Sequence, residues 1–213
     1  GMNIWNPALI ARAFVFFAYP SQISGDTIWI EGLNAAKANA MQTVDGFSGA
    51  TPLGQAANGI VDFTTTTGEP LSLMQMFIGN MPGSIGETST IAILIGAVIL
   101  IWTGVASWKI MASCVAGALA VGFLVNGFAE PGTFAAVPAY YHLVLGGFAF
   151  GAVFMATDPV TSAQTEKGKW IYGFLVGALA VIIRLFNPGY PEGMMLAILL
   201  MNTFAPLIDH YVV

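Results

Sequence analysis

The sequence predicts an all-α polytopic membrane protein, and three observations carry that prediction. Of 213 residues, 56% are hydrophobic and only 8% are charged, with a mean hydropathy of +0.76; a soluble domain carries about 25% charged residues. Several apolar stretches approach the ~20 residues that a helix needs to cross a bilayer. Others are apolar but too short, and they stop at proline or glycine, as helices do that enter a membrane and break off inside it.

The elements follow in order. Residues Pro7 to Tyr19 form a short apolar helix with proline at its first position, closed by Pro20. The chain enters this helix so early that further sequence upstream is expected. Residues 21–70 form the one long polar tract and should lie outside the hydrocarbon. Leu71 to Met81 is apolar but ends at Pro82-Gly83; at ~1.5 Å per residue it cannot cover a ~30 Å core, so a half-helix that dips in and returns fits it best. Thr88 to Trp108 and Ile110 to Phe128 read as full spans joined by a hairpin at Lys109. Ala139 to Ala156, Trp170 to Phe186 and Met194 to about Ile208 complete a five-span arrangement, closed by Thr157-Asp158-Pro159 and Asn187-Pro188-Gly189 between them. Residues 1–213 are therefore read as a single membrane domain.

The six cations are scattered and the net charge is -5, which excludes a basic nucleic-acid surface. Lys109 lies between the third and fourth apolar segments, and Lys167 and Lys169 lie between the fifth and sixth. Those loops share a side if the intervening segments cross, and the positive-inside tendency makes that side cytoplasmic. The 21–70 tract then falls on the outer face. Arg184, late in its span, is expected to snorkel to the headgroups, with a ligand phosphate as its alternative partner. Gly147/Gly151 and Gly173/Gly177 have the spacing that lets helix backbones approach closely. Trp102, Trp108 and Trp170 read as interfacial anchors. Cys114, in an apolar run, reads as a small core residue, and His142 and His210 as interfacial hydrogen-bonding groups rather than a metal pair.

Two features could carry chemistry. The first is Asp45-Gly46-Phe47-Ser48-Gly49-Ala50-Thr51-Pro52, where small residues leave one hydroxyl open. Thr51 before Pro52 equally reads as a plain helix N-cap. The second is the set of acids at segment ends, Glu87, Asp158 and Asp209. A carboxylate in lipid is costly and usually purposeful, but acids at helix ends also serve as caps. On residues alone, a channel or transporter for a small polar solute, and a membrane component that only anchors partners, stay open.

The run Asp45, Ser48, Gly49, Ala50, Thr51 resembles the flavinylation motif, whose last Thr or Ser receives FMN through a phosphoester made by a dedicated transferase. Asn6-Pro7-Ala8-Leu9, Phe16-Phe17-Ala18-Tyr19-Pro20, Ser24-Gly25-Asp26, Gly86-Glu87-Thr88-Ser89, His142 to Gly147 and Met155 to Val160 extend the likeness from end to end. Together they resemble the B-subunit family of Na+-translocating NADH:quinone reductases, with the paralogous D-type component of the related Rnf complex as second choice. The resemblance implies a urea-transporter-like fold of two similar halves, of which this chain matches the C-terminal one. It implies covalent FMN on Thr51, and electron relay from a partner subunit with its own covalent FMN towards ubiquinone, coupled to Na+ export across a bacterial inner membrane. Riboflavin and quinone sites belong to the half that is not matched. The resemblance ties Asp158, Glu87 and Asp209 to the Na+ path.

Overall fold

The computed structural model describes residues 3–19, 51–65, 69–84, 86–130, 132–187 and 192–212. Among these residues the architecture is helical, with extended backbone pairing in an isolated bridge between Thr64 and Pro70. Helix α1 is Pro7–Ala18, where the Asn6 side chain accepts the N–H groups of Ala8 and Leu9 and Pro7 opens the first turn. Helix α2 is Pro52–Ala57, and α3 is Leu73–Ile78, started by a Ser72/Gln75 capping box and ended by Gly79 at φ 107. Helix α4 is Thr90–Trp102 and α5 is Trp108–Asn126. After a single 3-10 turn come α6, Tyr141–Val144, and α7, Phe148–Phe150, which runs on as a π turn over Gly151–Met155. The long helices α8, Glu166–Phe186, and α9, Met194–Val212, complete the chain.

Three of these helices, α5, α8 and α9, are long and apolar enough to cross a membrane. The other two expected spans differ. The segment expected over Thr88 to Trp108 gives a helix of 13 residues, about 20 Å at ~1.5 Å per residue and short of a ~30 Å core. It stops because the Thr103 hydroxyl donates back to the Ile99 and Leu100 carbonyls and Gly104 turns at φ 72. The connection therefore lies before Lys109, which sits in the first turn of α5 rather than in a hairpin. The segment expected over Ala139 to Ala156 is broken in two at Leu145–Gly147.

Helices α5 and α8 form the closest pair. A Cβ on Gly173 would stand 2.6 Å from the Ile110 carbonyl oxygen, and one on Gly177 or Gly117 would run into the carbonyls of Cys114 or Phe174. Matching Ile110 with Gly173 and Cys114 with Gly177 makes the helices parallel. Lys109, at the start of α5, accordingly pairs with Glu166, at the start of α8. Both helices begin at one end of the molecule, so the chain from 127 to 165 returns across it; Lys109, Lys167 and Lys169 share a side as expected, but in the first turns of α5 and α8 rather than in the connections. Cys114, Ala118, Tyr172, Val176 and Ala180 are completely buried there. With lipid as solvent, such close backbone approach and dispersion contact supply most of the cohesion. Helix α9 runs antiparallel to α8: Tyr172 donates to the Asn202 side chain at 2.7 Å, and Asp209 reaches the start of α8.

A second core gathers Leu53 and Ala56 of α2, Met76 of α3, and Val144 and Leu145 at the break. It lies towards the opposite end from Lys109 and Glu166.

Candidate functional site

Thr51 is the N-cap of α2. Its hydroxyl oxygen accepts the Gly54 N–H at 3.0 Å, and Pro52 fills the first helical position. The capping role is therefore real, and it uses a lone pair only. The proton of the same hydroxyl takes no part in that bond, and the side chain is only half-buried. The expected motif partners Asp45, Ser48, Gly49 and Ala50 lie outside the described residues. Downstream of Thr51, Leu53 points inward, and its side chain stands 2.6 Å from where a Cβ would sit on Gly146.

Gly146, at φ 56, is the centre of the broken segment. Two charged side chains occupy the break. Arg184 is not at the headgroups as expected; it is 1% exposed. Its Nη1 donates to the His142 carbonyl at 2.7 Å and its Nη2 to the Leu145 carbonyl at 2.8 Å, so both terminal nitrogens are engaged with backbone. Its guanidinium also lies over the Phe148 ring, 5.6 Å from the centroid. Glu192, in the connection before α9, accepts the Gly147 N–H at 2.9 Å, and its carboxylate lies 3.9 Å from Arg184. Glu87 approaches the same place: a Cβ on Gly147 would meet the carboxylates of Glu87 and Glu192 at 2.6 and 2.8 Å. Burial pushes the Glu192 carboxyl up to about 7, against the pull of Arg184 and with the help of nearby Glu87.

The other two acids are elsewhere. Asp209 caps the start of α8 by accepting the Gln164 and Thr165 N–H groups and the Thr165 hydroxyl. Asp158 accepts from Asn6, Thr161 and the Val160 N–H, beside an open cavity of about 380 Å³. Both therefore serve as local caps and ties, and the described residues contain no cluster of three or more acidic, His or Cys side chains suited to a metal. His142 is buried against Phe134 with Nδ1 unpartnered, not interfacial as expected. Gly147 and Gly151 receive acidic groups and Met194 rather than a neighbouring helix backbone.

Sequence reasoning missed Glu192 and misplaced Arg184. A signal existed for Arg184: it lies seven residues, two turns, beyond Gly177, on the face that packs inward. Glu192 sits in a Pro-Gly-Tyr-Pro-Glu-Gly run that gave no reason to place it beside an arginine.

Three helices long and apolar enough to cross a membrane, with a broken segment held by charged side chains beside them, mark a helical protein of the polytopic membrane class. The model of the NQR2, RnfD, RnfE family matches residues 1–213, and the chain belongs to that family. It is 51% identical over 214 residues to the B subunit of the Na(+)-translocating NADH-quinone reductase of Pseudomonas paraeruginosa. It is 53% identical over 216 residues to that of Klebsiella pneumoniae, and 52% identical over 216 to that of Yersinia pestis. All of this chain aligns in each comparison, against 50%, 50% and 49% of the relatives, so it spans about half their length.

Proposed function

We propose that this chain is the flavin-carrying half of the B subunit of a Na+-translocating NADH:quinone reductase in a bacterial inner membrane. Its FMN is held covalently on Thr51. The observation that carries the reading is the run Asp45 to Thr51, ending on a half-buried hydroxyl at the head of α2. The geometry fits the group: the oxygen can be esterified while still accepting the Gly54 N–H. When bound, FMN supplies one-electron transfer between a partner flavoprotein and the route to ubiquinone, the redox chemistry being its own. The protein's part is to fix the attachment point on a short helix seated against the break.

Sidedness supports the same reading. Lys109 and Lys169 lie together at one end, tied through Glu166, and the positive-inside tendency makes that end cytoplasmic. Arg184, Glu192 and α2 lie towards the other end, which is proposed, with Thr51, as the outer one. Na+ movement is proposed to involve Glu87 near that end. Asp158 and Asp209, on the cytoplasmic side, have oxygens already engaged by protein donors. A fold of two related halves, urea-transporter-like, with riboflavin and quinone sites in the other half, belongs to the same proposal.

The test separates the cap from the acceptor. Thr51→Ser keeps both functions and is expected to carry FMN. Thr51→Asn keeps a good N-cap but offers no hydroxyl, so it should be folded, assembled and unmodified. Intact mass and peptide mapping after co-expression with a flavin transferase read the outcome directly. FMN found on Thr51→Asn, or an unmodified parent with an active transferase, overturns the assignment.

A further inference from the structure

We propose that Arg184 and Glu192 clasp the two halves of the broken segment at Leu145–Gly147 and so seat helix α2, making both of them positioning residues for Thr51. A helix interrupted inside a membrane protein leaves carbonyls without partners at the end of its first half and N–H groups without partners at the start of its second. Here one side chain answers each end. The Arg184 guanidinium takes the carbonyls of His142 and Leu145, at the C-terminal end of α6. The Glu192 carboxylate takes the N–H of Gly147, immediately before α7. The chemistry suits each end: a donor-only guanidinium where two carbonyls are left, and a carboxyl oxygen, an acceptor, where an N–H is left. The two side chains are themselves 3.9 Å apart, and Arg184 Nε also faces the Glu192 carbonyl at 3.4 Å.

The clasp reaches α2 through Gly146. That glycine has the Leu53 side chain on it, together with the Glu192 carboxylate and Arg184 Nη2, all close to the place where a Cβ would stand. Leu53 and Ala56 share their core with Val144 and Leu145, the last residues before the break. If the break opens, the surface on which α2 rests is lost. The clasp itself does not depend on flavin; only its consequence for the cofactor's position rests on the reading above.

The test is a thiol-accessibility measurement on the protein in its own membrane, scored by peptide mapping so that each position is read separately. Ala56→Cys places the reporter under α2 and keeps the Leu53 contact, and the buried Cys114, between α5 and α8, is the internal control. With Arg184 intact, both positions should react slowly with maleimide. With Arg184→Ala, position 56 should react faster by about tenfold or more, the mark of local opening, while Cys114 stays unreactive. Millimolar methylguanidinium should restore slow labelling, and urea, with a similar planar fork but no charge, should not. Should Arg184→Ala fail to reach the membrane, Arg184→Lys makes the same comparison, since it keeps the charge but cannot span both carbonyls. Unchanged labelling at position 56, equal exposure of positions 56 and 114, or rescue by urea as good as by methylguanidinium would each overturn the clasp. Because no flavin is read, failure of the attachment proposal leaves this result intact.

Discussion

The α5/α8 pair and the break around Gly146 are both built on glycine, yet they are held together by different physics. In the pair, Gly117, Gly173 and Gly177 remove side chains so that two helix backbones touch, and what fills the contact is carbon and backbone. At the break, Gly146 and Gly147 remove side chains so that charged groups can reach the backbone. The first arrangement is repetitive and forgiving of chemistry but not of volume. The second forgives some volume but not the loss of a donor or an acceptor. The same residue type therefore predicts opposite vulnerabilities.

The largest expected effect lies in the first region. Gly177→Leu forces a side chain into the Cys114 carbonyl, and backbone cannot swing aside as a flexible side chain can. Overpacking commonly costs about 1–3 kcal/mol and more where backbone must move, and here two long, closely packed helices would have to separate. The expected outcome is loss of the monodisperse species in detergent gel filtration, with Cys114 becoming reactive. Gly151→Ala should cost less than Gly177→Ala, because its Cβ meets the Met194 side chain, which has rotamers to move through, and not a carbonyl of the facing helix. Equal behaviour of the two variants would erase the distinction between the regions.

The contrast also explains what was legible. Low charge, apolar runs and the Gly173/Gly177 spacing report directly on a helix that must pack in lipid, so α5, α8, α9 and the close pair could be read from residues alone. So could the capping position of Thr51, since proline after threonine fixes both. The short α4 was not legible, because its end depends on Thr103 bonding back to its own helix and on the turn at Gly104, inside a run whose hydropathy continues unbroken. The break was only half legible. Gly146-Gly147 hints at it, but the groups that hold it come from residues 184 and 192, and no local pattern announces an ion pair made across a fold. Arg184 was misplaced for the same reason: a lone arginine near a helix end snorkels unless carbonyls from another segment are waiting for it.

The second region yields the pH prediction. Glu192 faces Arg184 of α8, Glu87 ahead of α4, the Gly147 N–H and, further off, Arg12 of α1. Its carboxyl lies near 4.5 when unfolded and is pushed up to about 7 in the fold, chiefly by burial. Folding therefore takes up a proton between those values, so the contribution of this group is fully present below about 4.5 and is lost as pH rises towards 7. Thermal unfolding in detergent should show stability falling across that window. Glu192→Gln keeps an acceptor for Gly147 but cannot titrate, and should flatten the slope. An unchanged slope in that variant would mean that some other group sets it.

The smallest effect tests whether Asp209 belongs with the caps or with an ion path. Its two oxygens accept three hydrogen bonds at the head of α8, where a negative charge is also favoured by the helix dipole. Asp209→Asn keeps one acceptor oxygen and loses the charge, so a cost of about 1 kcal/mol is expected, in line with other cap losses. The protein should unfold a few degrees earlier, and its response to Na+ should stay that of the parent. The informative measurement pairs the melting curve with a Na+ titration of stability on the same sample. A lowered melting point with an unchanged Na+ response assigns Asp209 to the capping of α8. An unchanged melting point with an altered Na+ response would instead move it beside Glu87, and the line drawn here between helix-capping acids and the acid at the break would have to be redrawn.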